Sequence, residues 1–170
     1  PFPRKELQSN LDFEYVSLDE LYKNSDIISL HCPLTSDTKY IINSNNISKM
    51  KDGVMIINTG RGKLINTIDL IEGLKSKKIG AAGLDVYEEE ADYFFEDHST
   101  EILDDDVLAR LLTFNNVIVT SHQAFFTKEA LSNIAETTLK SVSELESAKK
   151  LSYEIAYVCE NGNCSPKDIK

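Results

Sequence analysis

Three short polar strings, each set directly behind an apolar run, constrain this chain more than any other feature. Asn58-Thr59-Gly60-Arg61-Gly62 follows Val54-Met55-Ile56-Ile57, and Asp85-Val86-Tyr87-Glu88-Glu89-Glu90 follows Ala81-Ala82-Gly83-Leu84. Ser121-His122-Gln123-Ala124 follows Val117-Ile118-Val119-Thr120. Short apolar runs of this kind read as strands buried on both faces of a parallel sheet. Ligands of such sheets bind outside the carboxyl ends of the strands. An arginine, a group of acids and a histidine are therefore expected along one edge of one sheet. A guanidinium holds a carboxylate, an imidazole moves a proton, and a carboxylate orients the imidazole; together they form a catalytic set.

The segments between the strings alternate strand and helix. Ser17 with Glu20 has capping-box spacing and opens a short helix through Leu21 and Tyr22. Asp26 leads into the strand Ile27–His31, which Pro33 ends. Asn43 or Ser44 starts a helix that carries Ile47 and Met50 on one face and stops at Gly53. Asn66 or Thr67 caps the next, with Ile68, Ile71 and Leu74 as its apolar stripe and Lys75 at its end. Strands are expected over Val54–Asn58, Ile79–Val86 and Val117–Thr120, with a long acidic insertion from Tyr87 to Asp106 and a helix over Val107–Leu112. Thr127 caps the longest helix, reaching to Lys149. This alternation predicts an α/β fold, an open, doubly wound parallel sheet with right-handed crossovers.

Charge and cysteine content narrow the partners. A net charge of −10 disfavours nucleic acid and anionic membranes, which repel an acidic protein. Local positive charge at Arg61 and Lys63 still suits a small anion. No apolar run is long enough to span a bilayer, and no signal-type apolar segment follows Pro1-Phe2-Pro3-Arg4-Lys5. The three cysteines, Cys32, Cys159 and Cys164, lack metal-finger spacing, so they read as reduced thiols of a cytoplasmic protein rather than as a metal clip or a Cys159–Cys164 bridge.

The wording and order of the three strings resemble the NAD-dependent D-2-hydroxyacid dehydrogenases, and among them most closely the D-lactate branch. The resemblance runs from Tyr15-Val16-Ser17-Leu18-Asp19-Glu20-Leu21 to the helix beyond Thr127. It implies that Arg61 binds the carboxylate and carbonyl of a 2-oxo acid, and that His122 is the general acid–base. Imidazolium would protonate the carbonyl in pyruvate reduction, and neutral imidazole would take the hydroxyl proton in D-lactate oxidation. Chemistry alone does not separate Glu88, Glu89 and Glu90; the family pattern selects Glu90 as the partner that stabilises the imidazolium and fixes its tautomer. A glutamate rather than a glutamine there speaks against the formate dehydrogenase branch. The resemblance also places Thr59, Gly60 and Arg61 against the NAD cofactor, Asp85 near the nicotinamide carboxamide, and Cys32, Pro33 and Thr38 on the adenine and ribose side. His31 then reads as structural and His98 as solvated. The pairs Phe94-Phe95 and Phe125-Phe126 read as packing residues, and both strings are closer to the D-lactate branch than to the glycerate and phosphoglycerate ones.

A Rossmann-type domain normally opens with strand, G-x-G-x-x-G and helix. Here Gly60-x-Gly62 is the one close glycine pair of that look, and Ile65 stands where a third glycine is needed. The expectation is a carboxy-terminal part of an enzyme. Residues 1–125 would be a partial NAD-binding domain without its glycine-rich first half, and residues 126–170 the hinge, long helix and tail of the substrate domain. The complete enzyme is expected to be a homodimer without metal, and the 170-residue chain alone to be inactive. Two alternatives stand beside this reading: a relative acting on a bulkier 2-oxo acid, such as a branched-chain one, and a noncatalytic fragment or binding module of the same fold.

Overall fold

The computed structural model describes residues 13–90, 104–147, 150–153, 157–160 and 163–166, with side chains through Tyr153. His98 and the Phe94-Phe95 pair lie outside the described residues. The chain divides into two compact units, residues 1–124 and residues 125–170.

The first unit is built on a four-stranded parallel sheet of order β1 (Ile27–Leu30), β2 (Val54–Asn58), β3 (Ile79–Leu84) and β4 (Val117–Val119). Helix α1 (Leu18–Asn24) starts at the expected capping box: Ser17 Oγ accepts from the Glu20 amide, and the Glu20 carboxylate accepts from the Ser17 amide. Helix α2 (Ser44–Lys49) is capped by Asn43, and α3 (Thr67–Lys75) by Asn66. Helix α2 ends short of Gly53. Met50 is already extended, and Gly53, at φ 81°, makes the turn into β2 that a side chain would resist. Helix α4 (Asp106–Leu112) is capped by Asp105.

Two expectations about burial are corrected. The strands are not buried on both faces: Ile28, Leu30, Val54, Ile56, Ala82 and Leu84 join the core, whereas Ile27, Met55 and Ile118 on the alternate positions are exposed. In α3 the core face is Thr67, Leu70, Ile71 and Leu74, while Ile68 is 62% exposed. Offsets of three, four and seven from Thr67 make one helical stripe, which excludes position 68.

The strand register sets the geometry of the sheet's edge. Leu30 pairs with Asn58, Asn58 with Leu84, and Leu84 with Val119, so all four strands finish level. The polar strings therefore leave the sheet side by side.

In the second unit Thr127 caps α5 (Lys128–Glu146), none of whose residues is buried. A two-stranded antiparallel pair comes next, β5 (Tyr157–Glu160) with β6 (Asn163–Pro166), in which Cys159 stands opposite Cys164. Among the described residues no helix is long and apolar enough to cross a membrane.

Candidate active site

Asn58, the last residue of β2, organises the arginine loop. Its side chain is 1% exposed; Oδ1 accepts from the Gly60 amide at 3.0 Å and Nδ2 donates to the Arg61 carbonyl at 3.0 Å. The amide thus closes the Thr59-Gly60-Arg61 turn by hydrogen bonds at both ends. Arg61 itself is exposed, and one guanidinium N–H donates to the Gly60 carbonyl at 2.8 Å. Lys63, expected to share in holding an anion, stands 3.5 Å from Glu89, which offsets its charge.

The acidic string resolves into three partners. The Glu88 carboxylate accepts from the Thr67 amide at 2.9 Å, Glu89 faces Lys63, and Glu90 reaches His122. Glu90 Oε1 is 3.2 Å from His122 Nδ1, while its Oε2 accepts from the Tyr87 amide at 3.1 Å. The pair that the spacing alone left open is therefore Glu90 with His122. Burial pushes the Glu88 carboxyl above the usual carboxylate range, only partly offset by the Thr67 hydrogen bonds.

His122 sits on an unusual turn. Ser121 and His122 have φ of 50° and 58°, both in the left-handed region that non-glycine residues rarely enter. Asp85, 5% exposed at the end of β3, holds them there. Its carbonyl accepts from the His122 amide, and its carboxylate accepts from the Thr120 hydroxyl and from the Gln123 and Ala124 amides at 2.7 and 2.9 Å. Burial alone would push the Asp85 carboxyl up. The hydrogen bonds from Thr120, Ala124 and Gln123, with the nearby His122 ring, outweigh it and hold the group below the usual range.

Beyond the ends of β1 and β2 lies a cavity of about 650 Å³ lined by His31, Cys32, Pro33, Leu34, Thr59, Gly60 and Arg61. His31 is exposed, with Nε2 2.8 Å from Ser29 Oγ. Thr38 does not line the cavity; its hydroxyl donates to the Pro33 carbonyl at 2.7 Å and so braces the loop that does. Asn58 and Thr120 had no role assigned from the sequence, although each stands at the boundary between an apolar run and its polar string.

The sequence profile of the D-isomer specific 2-hydroxyacid dehydrogenase, NAD binding domain, matches residues 1–124. D-lactate dehydrogenase of Escherichia coli is 50% identical over 145 residues, which are 85% of this chain and 44% of that protein. An aromatic 2-oxoacid reductase of Clostridium sporogenes is 54% identical over 133 residues, 78% of this chain and 40% of that protein. The crystal structure of D-lactate dehydrogenase with NAD+ from Lactobacillus jensenii superposes with a TM-score of 0.76 at 35% identity, over 84% of this chain and 43% of that one. The chain spans less than half the length of the curated relatives it matches. By profile, sequence and fold, it belongs to the NAD-dependent D-2-hydroxyacid dehydrogenases, and it corresponds to the carboxy-terminal part of them.

Proposed function

We propose that this chain carries the acid–base and anion-binding edge of a D-lactate dehydrogenase that interconverts pyruvate and D-lactate in the complete protein. The observation that supports it best is the Glu90–His122 pair on the same level sheet edge as Arg61. Cys32, Pro33, Thr59 and Gly60 would hold NAD in this cavity, and the cofactor would supply or accept the hydride there. The cavity fits such a group, because it opens at the carboxyl ends of adjacent parallel strands and brings the Arg61 loop to its rim. Arg61 takes the substrate carboxylate through a bidentate fork. His122 meets Glu90 through Nδ1, which supports Nε2 as the atom that serves the substrate oxygen, donating a proton in reduction and removing one in oxidation. Asp85 Oδ2 accepts the Ala124 amide at 3.0 Å and retains lone-pair capacity for a carboxamide N–H. Residues 126–170 belong to the substrate domain, and the complete protein is a cytoplasmic homodimer. Residues 1–170 alone are inactive, a reading supported by relatives about twice this length.

The similarity to an aromatic 2-oxoacid reductase supports a second reading, in which a bulkier 2-oxo acid replaces pyruvate. One experiment separates them. The complete protein is assayed with NADH against pyruvate, a branched-chain 2-oxo acid and phenylpyruvate, and with NAD against D- and L-lactate. Preference for pyruvate and D-lactate supports the first reading, and preference for a larger acid the second. His122→Gln should lower turnover by about 10²–10⁴-fold with NADH binding retained. Unchanged turnover in that variant removes His122 from the mechanism.

A further inference from the structure

Three adjacent glutamates invite treatment as one acidic surface, yet the first of them is half-buried and does something the other two do not. Glu88 Oε1 accepts from the backbone amide of Thr67, the first residue of α3, which is itself buried. The N-cap of α3 is already filled by Asn66, whose side chain accepts from the Asp69 amide at 3.1 Å. Glu88 therefore adds a second anchor, and that anchor comes from another strand end.

The opposite end of the same loop is fixed against the same turn. Arg61 leads into a short 3-10 turn, Gly62–Leu64, and then into Thr67. A Cβ on Gly62 would stand 2.0 Å from the Tyr87 carbonyl oxygen and 2.5 Å from the Glu88 nitrogen, so here backbone lies directly on backbone. Segment 62–67 is thus bracketed by the Tyr87–Glu88 peptide at one end and the Glu88 carboxylate at the other. From the same turn, Glu90 extends to His122.

We propose that Glu88 is a positioning residue: by holding Thr67 it locks the Arg61 loop to the Tyr87–Glu90 turn, and so sets the separation between the guanidinium and the Glu90–His122 pair. The proposal rests on the reading of Arg61, Glu90 and His122 as the working groups. A half-buried carboxylate is disfavoured by desolvation, which a solvated acid would avoid, and the Thr67 donors supply what holds it in place.

The test uses the complete protein with Glu88→Ala, Glu88→Gln and, as a control on the exposed Lys63 pair, Glu89→Gln. Backbone hydrogen exchange is followed by mass spectrometry in the peptide spanning residues 61–70, together with oxo-acid kinetics and NADH titration. Expected for Glu88→Ala are faster exchange in that peptide, a fall in kcat/KM of about 10–100-fold, and an NADH Kd within about twofold of wild type. Glu88→Gln keeps an acceptor oxygen and should recover most of the loss, which also covers the case in which the alanine variant folds poorly. Combined with Arg61→Lys, Glu88→Ala should cost less than the product of the two single effects, because both act on one contact. Wild-type kinetics in Glu88→Ala, or full additivity with Arg61→Lys, overturns the proposal. A wild-type protein without oxo-acid reductase activity would instead defeat the functional reading, and the exchange data would still decide whether Glu88 holds the loop.

Discussion

Asp85→Ala should injure this protein more than loss of any single hydrogen bond at the site, because one buried carboxylate serves three donors on one turn. Its side chain accepts from the Thr120 hydroxyl and the Gln123 and Ala124 amides, and its carbonyl holds the His122 amide. Hydrogen bonds to an ionised acceptor contribute about 1.5–3 kcal/mol each, less when their donors can return to water. Gln123 and Ala124 are exposed residues whose amides regain solvent, so the loss is below the simple sum. We expect about 3 kcal/mol for Asp85→Ala and about 1.5 kcal/mol for Thr120→Val. The larger effect is on geometry. Left-handed Ser121 and His122 cost roughly 1–3 kcal/mol each and persist only where surroundings over-determine them. Without Asp85 the turn relaxes and carries the imidazole away from Glu90. A displacement near 1 Å costs on the order of 10²-fold in turnover. Urea melts of both variants, with steady-state turnover of the complete protein, measure the two effects. The sign of the pH dependence adds a check. The Asp85 carboxyl is held below its ordinary value, so its stabilisation is full above the unfolded pKa of about 3.9 and is lost as pH falls through the lower folded value. The stability gap between wild type and Asp85→Asn should stay constant from neutral pH to about 5 and close below about 4. An Asp85→Ala protein that melts and turns over like wild type would refute the reasoning.

Two further outcomes are expected from the same geometry. Glu90→Gln replaces the carboxylate that meets His122 Nδ1 by a neutral amide, so oxo-acid turnover should fall by about 10²-fold with NADH binding retained; unchanged turnover would pass the partner's role to another group. Gly62→Ala places a methyl 2.0 Å from the Tyr87 carbonyl oxygen, a clash of backbone against backbone that should lower stability by about 1–3 kcal/mol and turnover by more than tenfold, read by melting and kinetics. Wild-type melting in that variant would mean that the two loops do not lie backbone against backbone.

Much of the fold was legible because its punctuation is chemical. Ser17 with Glu20, Asn43, Asn66 and Thr127 all cap the helices they precede, and Val54–Asn58 is a strand over its expected span. What failed was which side an apolar residue faces. Positions 68, 70, 71 and 74 of α3 allow two stripes, and only packing on the sheet selects the one that buries Leu70 and frees Ile68. Ile27, Met55 and Ile118 read as core in a parallel strand, yet they occupy the alternate face, where the described residues leave them exposed. At the site, the identity of the histidine's partner depends on a backbone turn. Glu88, Glu89 and Glu90 are chemically equal, and the bond from the Tyr87 amide to Glu90 is what turns the third one toward His122.

Burial of polar groups supports the site independently of any resemblance. Among the described residues the buried polar side chains are Asn58, Thr67 and Asp85. Placing such groups in a core is unfavourable unless hydrogen bonds replace water. None of the three is spent on joining helices to the sheet's interior. Asn58 closes the Arg61 turn, Asp85 holds the His122 turn, and Thr67 receives the carboxylate that ties the Glu90 turn to the arginine loop. A sheet that needed only stability could end its strands in apolar residues and solvated turns. Each of these three residues is hydrogen-bonded at a loop that carries Arg61, Glu90 or His122, at level strand ends. Desolvation is accepted where orientation is required, an arrangement that supports the roles proposed for Arg61, Glu90 and His122.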